Sequence, residues 1–325
     1  MKILIFGGNG FVGLNIATAL LARGHAVTLF DRIGLPPAAR REFARNADRL
    51  TVVQGDVRDR PSVAEVIGAG HEAIILGAAI TAGPERDATD PETILQVNLL
   101  AQVPILTAAR RFGVGRIINL SSAAAYGTSA FRNMPLDEET VCDPVSLYAI
   151  TKFASEKVAA RLAALWPCEI ISVRLSAVFG PWERMNDVRD TPSPQAQMLA
   201  AMQGKREAVL PRPGVRDWIY AVDVAEAVTL LIEAEKPKHQ LYNISTGAEW
   251  SALQWGQELA ALHPGFICRL AEAGEAPTVD LHSPADRAPL SVARLEQEFG
   301  WRARLGCADS AADLSVWWTK HRGEA

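Results

Sequence analysis

The stretch Lys2-Ile3-Leu4-Ile5-Phe6-Gly7-Gly8-Asn9-Gly10-Phe11-Val12-Gly13 decides the fold. A continuous apolar run is followed at once by glycines at Gly7, Gly10 and Gly13. Apolar residues then recur at helical spacing (Val12, Ile16, Ala19, Leu20) over 11–23, until Gly24 ends the pattern. This is strand, tight turn, helix. The same alternation continues outward. Strands are predicted at 26–30, 50–54, 73–76, 116–120 and 169–175. Helices are predicted at 63–69, 91–112 and 146–165, and Pro104 marks a kink or displaced register inside the second of them. Strands that are apolar throughout and alternate with helices make a parallel sheet covered on both faces. After Gly180 prolines cluster (Pro181, Pro192, Pro194, Pro211, Pro213) and the alternation breaks down. The expected fold is α/β: a doubly wound parallel sheet over 1–176, to which some later segments return, and a smaller α/β substrate-binding domain formed mainly by 177–325.

Composition limits the function. The chain has 325 residues, 33 basic and 37 acidic, for a net charge of −4. That gives no general electrostatic basis for binding nucleic acid or an anionic membrane. No run approaches the roughly 18 apolar residues of a membrane helix. The first strand begins at the N-terminus, so no signal peptide is expected ahead of the fold. Cys142, Cys168, Cys268 and Cys307 are scattered, with no metal-ligand spacing. They are expected as reduced thiols in a cytoplasmic protein without a metal site.

The glycine turn suits a dinucleotide. Gly7 permits the tight turn, Gly10 lets a pyrophosphate approach the backbone, and Gly13 lets the helix pack closely. The first N–H groups of the helix and its dipole then face the phosphates. Asp31 ends the second strand, where an acid accepts both ribose hydroxyls and repels a 2′-phosphate. That favours NAD, although the adjacent Arg32 would suit a 2′-phosphate. Asp56-Val57 follows the third strand, placed to meet the adenine. Tyr148 and Lys152 stand at i and i+4 on one helical face. An ammonium beside a phenol favours the phenolate, which can take a proton from an alcohol or return it to a carbonyl. Ser122, just past the fifth strand, lies at the carboxyl edge of the sheet, where ligands bind.

These motifs together resemble the extended short-chain dehydrogenases/reductases of the NAD-dependent epimerase/dehydratase family, over essentially the whole chain. The likeness includes Gly7 to Gly13, Asp31, Gly55-Asp56-Val57, Ala78-Ala79, Asn98, Ser121-Ser122 with Tyr126-Gly127, Tyr148 with Lys152, and Arg216-Asp217-Trp218-Ile219-Tyr220. The resemblance implies NAD as cofactor, held by Gly7, Gly10, Phe11, Val12, Asp31, Asp56, Val57, Ala78, Ala79, Asn98, Tyr148 and Lys152. It implies Tyr148 as acid/base, Lys152 also on the nicotinamide ribose, and Ser122 on the reacting oxygen, with Ser121 the weaker candidate. It also implies a homodimer in which helices 91–112 and 146–165 pair across a two-fold axis.

The chemistry narrows further. The family's 4,6-dehydratases carry an acidic pair after the catalytic Ser/Thr. Here those positions are Ala123 and Ala124, which argues against dehydration. Hydride transfer at a carbinol carbon remains, either returned to the opposite face by an epimerase or released as NADH by a dehydrogenase. The segment from Val178 to Arg184 resembles that of uronate-type nucleotide-sugar 4-epimerases. Arg216 matches the family's pyrophosphate-gripping arginine, so Arg184 and Arg216 are the expected substrate contacts. Two departures point to a smaller substrate. Ala177 stands where nucleotide-sugar enzymes usually carry Asn, and the stretch 280–291 lacks the Arg-x-Gly-Asp-type segment, leaving Arg287 as the available substitute. The leading expectation is a nucleotide-sugar epimerase. The alternative is a dehydrogenase of a free sugar, sugar acid or other small alcohol. His239, His263, His282 and His321 lack ligand spacing, and Trp317-Trp318 is expected to close a helix onto the second domain.

Overall fold

The computed structural model describes residues 1–131, 134–184, 188, 190–283 and 285–321. The long apolar runs form β1 (Lys2–Phe6), β2 (Ala26–Asp31), β3 (Leu50–Gln54), β4 (Ala73–Leu76), β5 (Arg116–Ser122) and β6 (Glu169–Leu175). Shorter strands follow: β7 (Val178–Phe179), β8 (Ala208–Leu210), β9 (Val215–Arg216), β10 (Ile219–Tyr220), β11 (Leu241–Ile244), β12 (Trp250–Ser251) and β13 (Cys268–Leu270). Seven strands make one parallel sheet in the order β11-β6-β5-β4-β1-β2-β3. Chain order runs outward in both directions from β1 and β4, so a crevice opens at their carboxyl ends.

Side chains alternate along a strand. Ile3 and Ile5 therefore enter one core with Leu29, Ile118 and Val173, while Leu4 and Phe6 enter the other with Phe30, Ile74 and Ile117. The helices Arg60–Gly68, Gln102–Arg111 and Leu147–Ala163 cover the second face. The first face is covered by Phe11–Ala22, which packs against Ala221–Glu233. Phe11–Ala22 is apolar nearly all round because it lies between the sheet and a second helix. Each buried Leu or Ile contributes about 1.5–3 kcal/mol. Segments from the second half thus return to the first layer: β11 extends the sheet beside β6, and Ala221–Glu233 covers its face. A third core gathers Phe179, Met198, Trp218, Trp250, Trp255 and Leu314. Trp317 joins that core to the first one, standing edge-on to Trp182 at 5.1 Å.

Two departures from the expected elements bear on the site. Strand β5 runs two residues further than expected, because its register with β6 continues to Ser122 opposite Leu175. Ser122 is therefore the last residue of the strand rather than just past it. The expected helix 91–112 divides into Pro91–Leu95, a π-helical turn Gln96–Leu100, and Gln102–Arg111. Pro104 has no N–H for the carbonyl four residues back. The turn before it widens, and Ala101 N donates to Gln96 O at 2.8 Å.

Candidate active site

A cavity of about 380 Å³ fills the crevice. Of the expected cofactor residues, Gly7, Gly10, Asp31, Asp56, Val57, Ala78 and Ala79 line it. Gly7 has φ +77°, and a Cβ there would stand 2.6 Å from Ala78 N, so no side chain fits where the loops after β1 and β4 meet. A Cβ on Gly13 would run into the carbonyl of Gly7. No side chain caps the helix Phe11–Ala22, and no acid stands in its first turn. Phe11 and Val12 begin that helix, leaving its positive end to the cavity. A glycine-lined cradle, an uncapped helix end and a carboxylate beyond it fit a dinucleotide.

Asp31 ends β2 with its carboxylate accepting from Asn9 N at 3.0 Å and Ile33 N at 3.2 Å. Burial holds its carboxyl above the ordinary value despite those two bonds. Asp56 is gripped by Arg58, whose Nη2 donates to Oδ2 at 2.6 Å and Nε to Oδ1 at 3.0 Å; this fork holds the Asp56 carboxyl below its usual range. Asn98 stands elsewhere. It is fully buried in the π turn and bonds the backbone of Ile80 from both ends of its amide: Ile80 N donates to Oδ1 at 2.7 Å and Nδ2 donates to Ile80 O at 2.9 Å. Asn98 thus fixes the Ala78–Ala79 loop from behind. Arg184, expected on the substrate, lies against the glycine turn, with Nη2 donating to Asn9 O at 2.9 Å and its charge facing Asp31.

Sequence reasoning missed Arg58, Arg86, Thr93, Val97 and Val188, which also line the cavity. Arg58 had a signal, since Asp56-Val57-Arg58 is an acid with a base two residues on. Val188 had none. It comes from the irregular segment after Gly180, where Thr81 N donates to Val188 O at 2.7 Å.

The expected catalytic residues belong to β5 and to the helix Leu147–Ala163 packed against it. Ser146 caps the helix Leu147–Ala163, accepting from Ala149 N at 3.2 Å, and this places Tyr148 in the first turn. One turn on, Lys152 donates from Nζ to Leu120 O at 2.7 Å, two residues before Ser122 on β5. The same Nζ lies 5.7 Å from the Tyr148 ring centroid. Burial pushes the Lys152 ammonium down to about 8, partly opposed by Glu156. Ser122 is half-buried, its Oγ accepting from Ala124 N at 3.1 Å. Ser121 points the other way and donates to Glu156 Oε1 at 2.5 Å. Glu156 in turn is forked by Arg174, whose Nη2 donates to Oε2 at 2.7 Å. The side chain of Ser121 is therefore occupied by the core, while that of Ser122, next along the strand, faces the other way.

Arg216, on β9, stands over the Trp218 ring with its guanidinium carbon 5.5 Å from the centroid. Burial, then the charges of Arg287 and Arg212, push it down to about 10, which leaves it charged at neutral pH. Among the described residues no helix is long and apolar enough to cross a membrane, and all four cysteines are free thiols.

Residues 3–245 match the NAD dependent epimerase/dehydratase family. A UDP-glucose 4-epimerase of Corynebacterium glutamicum is 30% identical over 266 residues, covering 78% of each chain. A dTDP-glucose 4,6-dehydratase of Mycolicibacterium smegmatis is 29% identical over 232 residues, 70% of this chain and 67% of its own. The crystal structure of a Bifidobacterium longum UDP-glucose 4-epimerase in complex with NAD+ and UDP superposes over 100% of both chains, with a TM-score of 0.81 at 24% identity, a likeness of fold. The protein is an enzyme of the short-chain dehydrogenase/reductase type, and the chain belongs to the NAD-dependent epimerase/dehydratase family.

Proposed function

We propose that this enzyme is an NAD-dependent epimerase that inverts a carbinol carbon of a nucleotide sugar. The observation that carries the reading is Lys152, which bonds Leu120 O, two residues before Ser122, and lies against the Tyr148 ring, in a chain whose crevice suits NAD. The Corynebacterium glutamicum relative, a UDP-glucose 4-epimerase, supports it. Tyr148 takes the hydroxyl proton of the substrate and later returns it. Lys152 holds a positive charge against the ring, favouring the phenolate. Ser122 holds the reacting oxygen in line with the phenol. NAD, when bound, supplies the acceptor and donor of the hydride. The methyl groups at Ala123 and Ala124 offer no acid or base for eliminating water, which sets this reading apart from dehydration. Arg216, charged at neutral pH, is the group for the diphosphate.

Thermal unfolding with saturating NAD, alone and with UDP, dTDP or GDP, tests the reading. A nucleotide at 100 times its dissociation constant should add about 2.7 kcal/mol of stability. A shift with one nucleotide directs the epimerase assay to that sugar series. A shift with NAD and none with any nucleotide contradicts the nucleotide-sugar assignment and turns the search to free sugars and sugar acids.

The chain is also proposed to pair with a second copy through the helices Gln102–Arg111 and Leu147–Ala163. Leu100, Val103 and Ile150 are exposed on or beside them, at 58%, 44% and 39%. Apolar side chains so placed are suited to a homodimer interface. Light scattering at micromolar concentration should return twice the 35.1 kDa chain mass; a monomer mass contradicts the pairing.

A further inference from the structure

The residue before Tyr148 is held from outside its own helix. Ser146 already caps Leu147–Ala163: its Oγ accepts from Ala149 N at 3.2 Å, and its carbonyl accepts from Ile150 N at 2.8 Å. A further anchor comes from the short helix Pro84–Thr89, which follows β4. There Asp87 Oδ2 accepts from Leu147 N at 3.0 Å. Its second oxygen, Oδ1, is out of solvent and has no hydrogen-bond partner among the described residues. A carboxylate oxygen left in that state is costly. The positive end of the helix dipole offsets part of the cost. Since Ser146 supplies the cap, starting the helix does not require Asp87.

Tyr148 is held on its other side as well. Thr151 Oγ1 donates to the Tyr148 carbonyl at 2.9 Å. The same Oγ1 accepts from Asn98 Nδ2 at 3.3 Å, and Asn98 grips the backbone of Ile80. Both anchors therefore leave one stretch of chain, 80–98. Ile80, Arg86, Thr93 and Val97 of that stretch also wall the cofactor cavity. Its far side is pinned too: Gly83 N donates to Asp190 Oδ2 at 2.7 Å, and Asp190 N donates to Thr81 O at 3.3 Å. The wall of the crevice and the turn that carries Tyr148 are thus tied together at Asp87 and Asn98. Lys152 is fixed separately, by its bond to Leu120 O on β5. Loosening the first turn of the helix would move the phenol and leave the ammonium in place.

We propose that Asp87 is a positioning residue for the acid/base: by holding Leu147 N it sets the place of the Tyr148 phenol relative to Lys152 and the cofactor wall. The proposal rests on the reading of Tyr148 above. The other charges about this turn are accounted for. Lys152 and Glu156 lie on the same helix as Tyr148. Arg86 is turned to Asp190 at 3.5 Å and to Asp90 at 3.8 Å, Asp143 is bonded to Thr128, and Glu85 is exposed.

Phenol ionisation in the NAD-loaded enzyme, followed by the ultraviolet absorbance of the phenolate from pH 6 to 11, is the test. The chain has four tyrosines. Burial pushes Tyr126 up to about 12 and holds Tyr220 and Tyr242 above their ordinary value. The first phenolate to appear should therefore belong to Tyr148, and Tyr148→Phe should remove it. Asp87→Asn keeps an acceptor for Leu147 N and removes the charge, whereas Asp87→Ala removes both. The lost charge is common to the two variants, so the difference between them reports position. Asp87→Ala should ionise about half a pH unit or more above Asp87→Asn, because its phenol has left its place beside the ammonium. With the nucleotide sugar identified by unfolding, kcat should fall about ten- to a hundred-fold in Asp87→Ala and largely recover in Asp87→Asn. Pro84–Thr89 contains no buried residue, so both variants should fold, which melting temperature checks. If Asp87→Ala does not fold, Asp87→Ser takes its place as the variant without the long acceptor. Equal midpoints in the two folded variants overturn the proposal and leave Tyr148 as the acid/base. A first phenolate that survives Tyr148→Phe contradicts the reading of Tyr148, and the proposal falls with it.

Discussion

Tyr148→Phe is expected to lower kcat and kcat/KM together by about 10²–10⁴-fold, the range for losing a positioned acid/base. The phenol acts only as the proton moves, so the loss falls on the chemical step. The ring remains beside Lys152. The pH profile provides a second readout. Lys152 is nearly fully buried and is held down to about 8, against about 10.4 for an unperturbed lysine. It is charged below that value and neutral above it. Its support for the phenolate is therefore present at neutral pH and is lost as pH rises through about 8. The wild-type kcat/KM should fall on the alkaline side of about 8, with an apparent pKa that belongs to the Tyr148–Lys152 pair. Steady-state kinetics from pH 6 to 10 check both points. A Tyr148→Phe enzyme with wild-type turnover contradicts Tyr148 as the acid/base, and a profile flat to pH 10 contradicts the support from Lys152.

Glu156→Leu is expected to cost about 3–5 kcal/mol, the penalty for stripping one partner from a buried ion pair. The side chains of Arg174 and Glu156 are 2% and 5% exposed. Burial alone would push the Arg174 guanidinium down, but the Glu156 fork and charge prevail and hold it above its ordinary value. With Leu at 156, that cation is left between the sheet and the Tyr126 ring, 4.5 Å from the ring centroid. Ser121 Oγ loses its acceptor in the same step. A fall in melting temperature on the order of 10 °C follows for a chain of this size. Glu156→Leu with Arg174→Met removes both charges, so most of the loss should be recovered. Thermal and urea unfolding of the single and double variants measure this. A single variant within 2 °C of wild type, or a double variant no more stable than the single, contradicts a structural role for the pair. Because the network begins at Ser121 and Lys152 stands one turn before Glu156, its collapse should also reduce activity.

Five of the first six strands are legible in the sequence because both faces are buried along most of their length, so the runs are largely apolar; the edge strand β3 is mostly exposed, yet the ends of all six fall within two residues of those expected. The glycine turn is legible for a different reason: Gly7 and Gly13 each occupy a place where a Cβ meets backbone. The helix Ala221–Glu233 and strand β11 are not. Their partners, Phe11–Ala22 and β6, lie far away in sequence, and nothing local marks that contact. The two-residue strands β7, β9, β10 and β12 are too short to show a period. At the site, Ser122, Tyr148 and Lys152 stand out because their spacing is local. Side-chain direction does not. Arg184 reaches back to Asn9, and Asn98 grips Ile80, because a strand end and a π turn set directions that residue types alone do not encode. Arg287 can be named as a candidate, but its ion pair with Asp217, 70 positions away, is not legible.

The most direct measurement uses a UDP-sugar, or the nucleotide sugar identified by unfolding, carrying deuterium at the carbinol carbon, with catalytic amounts of the NAD-loaded enzyme. The products are followed by NMR and the absorbance at 340 nm is recorded. Epimerisation through a recycled cofactor predicts an approach to a mixture of the two epimers, deuterium kept at the same carbon, and no net accumulation of NADH. Deuterium passing into stoichiometric NADH, with a keto product and no epimer, would contradict it and make the enzyme a net dehydrogenase.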